Sequence, residues 1–240
     1  MTLNAEMNDF SALTASRRST RAFTDREVPA EVLDAILADA TTAPSWSNTR
    51  AFRVALATGA RAQRLRERFG KLFDEEVEAH ARKAADPDVE IPAPDGDYPV
   101  RKRYPDELRP AQIEVAKLLY GIYGVERGDI EGRNRVNRRN VTAFDAPVMG
   151  FVFVHEEMLP WSAMDAGLML QTLFLSAKSR GIDSCPVGIL ATWRAPVDEE
   201  FEIPEGYKFI TGFALGYADP DAPINSMQAP RPPIQLLEGK

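Results

Sequence analysis

Cysteine and histidine are scarce in this chain of 240 residues: Cys185 is the single cysteine, and His80 and His155 are the two histidines. One cysteine closes no internal disulfide, and three such side chains cannot make a Cys/His zinc cage, so neither a disulfide framework nor a metal is expected to organise the fold. The glycines nowhere fall into G-x-G-x-x-G or a P-loop, so any bound nucleotide must be held by another device. Positive charge is also short. With 29 Lys and Arg against 36 Asp and Glu the net charge is -7, and no broad basic field awaits a polyphosphate, which argues against nucleic acid as a partner. Long apolar runs are missing as well. The longest, Pro147 to Val154, is far short of the ~18 residues that cross a bilayer, and the opening Met1-Thr2-Leu3-Asn4 carries no basic stretch ahead of an apolar one. These features read as a cytoplasmic protein with no membrane partner.

What is present is an ordinary globular composition, 44% hydrophobic and 27% charged, in a length that favours one domain over residues 1–240. Pro29 to Ala40 places Val32, Leu33, Ile36, Leu37 and Ala40 on one helical face, with Pro29 at the first turn and Glu31 favourable to the helix dipole. Phe52, Val54 and Leu56 alternate with smaller or polar residues as in a strand. Leu65, Phe69, Leu72, Phe73 and Val77 mark the buried side of a second helix. Prolines at 87, 92, 94, 99, 105 and 110 then forbid regular structure from Asp86 to Pro110. This long proline-rich excursion, which also carries Tyr98 and Tyr104, is a candidate cover for an active site, because loops of such length are commonly functional.

Helical patterning resumes at Gln112 to Tyr123 and again from Asp129 to Asn140. The continuous apolar run Pro147 to Val154 predicts a strand covered on both faces. Met164 to Ser179 predicts a buried helix, apolar nearly all round and ending at Gly181 as a C-cap would, with a subunit interface as one use for its excess apolar surface. A last strand is expected at Phe209 to Tyr217, followed by a Pro-rich tail from Pro220 to Pro233. Helices and strands mix without strict alternation, which favours an α+β fold.

Three clusters carry possible chemistry. Arg17-Arg18-Ser19-Thr20-Arg21-Ala22-Phe23 gathers three guanidinium groups and two hydroxyls, and such forks match phosphate oxygens bidentately; the plainer alternative is a solvated basic turn. Pro44-Ser45-Trp46-Ser47-Asn48-Thr49-Arg50 offers hydroxyl and amide groups beside an aromatic ring, or is simply a helix-to-strand connection. Gly181 to Gly188 follows the buried helix, and its Gly and Pro can bring backbone amides close to a planar ligand, or form an ordinary C-cap and loop.

In order and spacing, these clusters resemble the nitroreductase family of FMN-dependent oxidoreductases. The R-R-S-x-R-x-F element matches at Arg17 to Phe23 and A-P-S-x-x-N at Ala43 to Asn48. G-[IL]-x-[ST]-C-P-x-G matches at Gly181 to Gly188, and L-G-Y-x-D-P-D-x-P-x-N followed by R-x-P matches from Leu215 to Pro233. The resemblance implies a central, mostly antiparallel sheet flanked by helices, in an intertwined homodimer with FMN at the interface and NAD(P)H as electron donor. It implies that Arg17, Arg18, Ser19 and Arg21 grip the FMN phosphate and ribityl chain, with Arg231 reaching the phosphate from the tail. Pro44, Ser45, Trp46 and Asn48 would come from the partner subunit, and Pro186, Val187 and Gly188 would lie beside the isoalloxazine near N5. The implied reaction is ping-pong transfer of electrons from NAD(P)H to a nitroaromatic acceptor, giving nitroso and then hydroxylamino products, with no catalytic acid or base from the protein. Other reactions of the same superfamily remain open at this stage: reductive dehalogenation, enone or quinone reduction and flavin destruction. So does a non-catalytic flavin-binding protein.

Where many relatives read N-[ST]-Q-P-W, this chain has Asn48-Thr49-Arg50-Ala51-Phe52. A cation in place of a neutral amide suggests that Arg50 favours a carboxylated acceptor such as nitrobenzoate, the alternative being a surface ion pair. Arg138, Arg139 and Asn140 are further candidates to cover the acceptor pocket. A hydrolase built on Cys185 and His155 is disfavoured, since no G-x-S-x-G elbow accompanies them and His155-Glu156-Glu157 reads as a surface turn. Met158, Met164 and Met169 read as core or interface filler.

Overall fold

The computed structural model describes residues 2–239, with side chains described from Asp9 onward. Four strands, β1 (Phe52–Thr58), β2 (Val148–His155), β3 (Asp183–Val187) and β4 (Tyr207–Gly216), form one antiparallel sheet in the order β1-β2-β4-β3. The helices are α1 (Thr2–Ser16), α2 (Ala30–Ala40), α3 (Gly59–Ala85), α4 (Arg109–Ile122), α5 (Ile130–Val141), α6 (Trp161–Ser179) and the single turn α7 (Ala195–Asp198).

The central strand β2 explains its own unbroken apolar sequence. Side chains alternate across a sheet, and both faces here are covered. Met149, Phe151 and Phe153 enter a core with Leu65, Phe69 and Phe73 of α3, whereas Val148, Val152 and Val154 enter a second core with Ile36 of α2 and Met169, Leu173 and Phe174 of α6. Neither face meets water, so no polar residue interrupts β2 until His155. Gly150 belongs to the second face, and the fully buried ring of Phe213 from β4 occupies the space a side chain would need there.

The expected α+β architecture and antiparallel sheet are present, and the course from Asp86 is irregular as far as Leu108; the expected stretch to Pro110 is too long, because Pro110 sits in the first turn of α4, where a missing N–H costs no helical hydrogen bond. Two further readings are corrected. The segment after α6, expected as a loop, contains β3, paired with β4 from Asp183 opposite Gly216 to Val187 opposite Gly212. It was hidden because Pro186 is a poor strand residue, but β3 is an edge strand, where a missing N–H breaks no ladder bond. Helix α6 begins at Trp161, and it is not buried all round: Trp161, Met164 and Leu168 are exposed along one side. No helix among the described residues is long and apolar enough to cross a membrane.

Candidate functional site

The chain leaves α1 and immediately adds to the free edge of β3. Thr20 donates its N–H to Ser184 O at 3.0 Å, and Ser19 bridges Ser184 in parallel. The turn beyond is fixed by one side chain. Asn225 Oδ1 accepts from the N–H groups of Arg21 and Ala22 at 2.9 and 3.2 Å, and its Nδ2 donates to Ala22 O and Asp219 O at 2.8 and 2.9 Å. All of its amide hydrogen-bonding capacity goes into joining the Arg21 turn to the C-terminal segment. That segment returns Arg231, whose Nη2 donates to Arg17 O at 3.3 Å.

The result is a cavity of about 370 Å³ lined by Arg18, Ser19, Arg21, Gln228 and Arg231; Arg17 is not among its lining residues but feels the charge of Arg231. None of Arg17, Arg18, Arg21 and Arg231 has a carboxylate partner within 4.0 Å among the described residues. Burial first, and the neighbouring Arg231 second, push the Arg17 guanidinium below its ordinary value. Cations crowded together without counter-charges are costly, and an anion in the cavity relieves that cost. Arg139 of α5 adds another, donating from Nη2 to Arg21 O at 3.4 Å while its buried Nε has no partner; the half-buried Tyr123 stands beside it. Sequence reading assigned Asn225 no role beyond its place in a motif and treated Arg139 only as a possible cover. The fold, by joining segments some 200 residues apart, turns both into parts of this cradle.

From this cavity the outer edge of β3 runs toward Gly188. In a strand, N–H and C=O groups of alternate residues face the same side. Ser184 O faces outward to Thr20, so by this alternation Pro186 presents a carbonyl without an N–H along the free edge; β3 ends at Val187, and Gly188 opens the helical turn that follows. An added Cβ on Gly188 would meet nothing closer than Thr211 Oγ1 at 3.9 Å, so the approach to its amide is open. Beyond Gly188 a second cavity of about 450 Å³ opens beside Ile189.

The third cluster lies elsewhere. Trp46 stacks on Trp161 with ring centroids 4.6 Å apart, and its N–H is held by both oxygens of the buried Asp165 at 3.1 Å. Ser47, Asn48 and Arg50 have φ of 47°, 56° and 48°, a left-handed run that non-glycine residues adopt only when their surroundings impose it. Asp165 and the tryptophan stack impose it, and Ser45 Oγ, accepting from Arg50 N at 3.2 Å, closes the turn. Arg50 Nη1 donates to Thr41 O at 2.6 Å. This turn precedes Phe52 of β1, which pairs with Val154, whereas Ser184 lies level with Leu215, Val148 and Thr58. The two clusters thus occupy diagonally opposite corners of the sheet, separated along α6 alone by roughly 20 Å of helix.

Cys185 is buried, and burial pushes its thiol up to about 11 despite nearby Arg21 and Arg17. A thiol so poised is a poor nucleophile at neutral pH. Cys185→Ser is expected to keep most of the activity, and the native protein to resist iodoacetamide at pH 8; rapid alkylation with loss of turnover would restore Cys185 as a functional residue. His155 packs edge-on against Tyr207, away from Cys185 in the sheet register, so the two form no catalytic pair.

Comparison with known proteins gives a consistent match. The family model described as "Nitroreductase family" covers residues 14–217. The chain is 34% identical over 225 residues to a 4-nitrobenzoate reductase of Pseudomonas putida, spanning 93% of this chain and 92% of that one. It is 31% identical over 231 residues to a chloronitrobenzene nitroreductase of Comamonas testosteroni, spanning 94% and 93%. Among solved structures, an FMN- and NADPH-dependent nitroreductase NfnB from a sphigopyxis strain superposes with a TM-score of 0.79 at 30% identity, over 96% and 99% of the two chains.

Proposed function

The chain belongs to the nitroreductase family, and from that premise we propose that it passes electrons from NADPH, through FMN bound at the β3 edge, to an aromatic nitro group. The observation that carries this reading is the set of uncompensated guanidinium groups at one end of an open strand edge. Arg17, Arg18, Arg21 and Arg231, with Ser19, hold the phosphate. From Ser184 to Gly188 the edge spans about 13 Å, room for a ribityl chain and the near side of a tricyclic ring. Pro186, Val187 and Gly188 would flank the ring. FMN supplies a hydride-accepting and hydride-donating N5; no side chain here needs to act as acid or base.

The partner subunit completes the site. A single chain holds Pro44, Ser45, Trp46 and Asn48 at the far corner from its own arginines, so both clusters reach one flavin only when different subunits supply them. A two-fold dimer does this twice. The exposed Trp161, Met164 and Leu168 on α6 give that dimer an apolar contact surface. We place the enzyme in the cytoplasm, where NADPH is supplied, with no membrane or nucleic-acid partner.

The acceptor proposed is a carboxylated nitroarene, reduced to nitroso and then hydroxylamino products. The likeness to a 4-nitrobenzoate reductase supports it. Arg50, the sequence's candidate for the carboxylate, would face this pocket from the partner subunit. The purified protein is expected to be a yellow dimer with two FMN, bleached by NADPH without air and recoloured by 4-nitrobenzoate. A yellow protein that NADPH leaves unbleached would make it a flavin carrier instead.

A further inference from the structure

The cavity beside Ile189 has no part in holding the phosphate, yet it begins at the residue after Gly188. Phe73 and Val77 of α3, Val141 of α5 and Ile189 give it apolar walls, and Asn134, Asn137 and Asn140, spaced by three along α5, line it as well. At its rim Arg101, from the proline-rich excursion, forms a two-pronged pair with Glu76 of α3: Nη1 with Oε1, and Nη2 with Oε2 at 3.1 Å. Glu76 is largely buried, its side chain 12% exposed against 44% for Arg101, and His80 Nε2 stands 3.8 Å from it.

We propose that this cavity seats the aromatic acceptor and that Arg101 selects acceptors bearing a carboxylate. The proposal deepens the flavin reading above and rests on it. A guanidinium carries five N–H donors, and Glu76 engages one on each of two nitrogens, leaving three for a second carboxylate. Glu76 cancels the charge of Arg101, so the rim suits a planar monoanion carried on an apolar ring better than a phosphate dianion, for which the arginine-rich cavity already exists. The amide row on α5 adds neutral donors and acceptors for a nitro group or a ring substituent. Arg50 fits this role less well, since its guanidinium is held by Thr41 O within its own turn.

The test compares 4-nitrobenzoate with nitrobenzene in steady state, beside calorimetric binding of benzoate to the FMN-loaded dimer. Arg101→Gln is expected to raise KM for 4-nitrobenzoate about tenfold with kcat nearly kept, to shift KM for nitrobenzene less than about twofold, and to weaken benzoate about tenfold. Glu76→Gln removes the competing carboxylate and one of its two acceptor oxygens and should tighten benzoate, and Arg101→Lys should restore part of the preference. Should Arg101→Gln fold poorly because Glu76 is left buried and unpaired, the double variant E76Q/R101Q keeps the rim neutral and must show the same split. Equal KM shifts for the two acceptors, or benzoate binding unchanged, would overturn the proposal. FMN content and bleaching by NADPH report separately on the flavin reading, which stands if they persist while the KM split is absent.

Discussion

Arg21→Ala is expected to purify colourless, with FMN affinity down by about a hundredfold or more. Arg21 sits where three constraints meet: its N–H on Asn225, its Nη1 on Ser19 O at 3.2 Å, and Arg139 on its carbonyl. The side chain is therefore held in place before any ligand arrives, and little ordering entropy is left to be lost on binding. Removing one partner of a desolvated charge pair costs on the order of 2 to 5 kcal/mol, and each 1.4 kcal/mol is tenfold in Kd. Quenching of flavin fluorescence on titrating apoprotein with FMN measures this directly. A loss of fold is separated from a loss of ligand by Arg17→Ala. That substitution also weakens FMN, but it removes a cation that burial and Arg231 already disfavour, so its apoprotein should melt no lower than wild type. Full FMN occupancy in Arg21→Ala would remove the phosphate from this corner.

Gly150→Val is expected to be the most damaging single change to the fold. Gly150 is paired with Leu56 on one side and Phe213 on the other in the middle of the sheet, and an added Cβ would run into the Phe213 ring. That ring is fully buried and touches Phe174 edge-on at 5.8 Å, so it has nowhere to retreat. Overpacking of this kind costs about 3 kcal/mol or more; for a chain of this size each kcal/mol lowers the melting temperature by about 2 to 4 °C. Calorimetry should show a fall of roughly 10 °C. The damage should reach function too, because Phe213 lies opposite Pro186 on β3, the strand proposed to carry the flavin edge. An unchanged melting temperature would mean that the sheet can part here.

The sequence made some of this plain and kept the rest hidden for physical reasons. The amphipathic period of α2 and α3 and the unbroken apolar run of β2 are local signals of one-sided and two-sided burial, and the structure follows them. Strand β3 escaped because it is a short edge strand of five residues containing Pro186, where a buried strand would carry a branched side chain. The arginine cluster was visible as a cluster, but its meaning depended on which carboxylates it lacked, and that is a property of the fold. Asn225, Asp165 and the Glu76 to Arg101 pair were not legible as site residues, since each acts on a segment distant in sequence. The strand register that puts Arg21 and Asn48 at opposite corners is likewise a property of topology.

That diagonal has a genetic side. In the proposed dimer each flavin pocket is assembled from one chain's arginine corner and the other chain's Trp46 corner. A lesion at Arg21 and a lesion at Asn48 therefore strike the same pocket when they sit on different chains, and different pockets when they sit on one chain. In a mixed dimer of the two, one pocket inherits both lesions and its twin inherits neither. In such a dimer two inactive alleles would complement each other within a single molecule, and the unit on which selection reads a substitution at either corner would be the pair of chains.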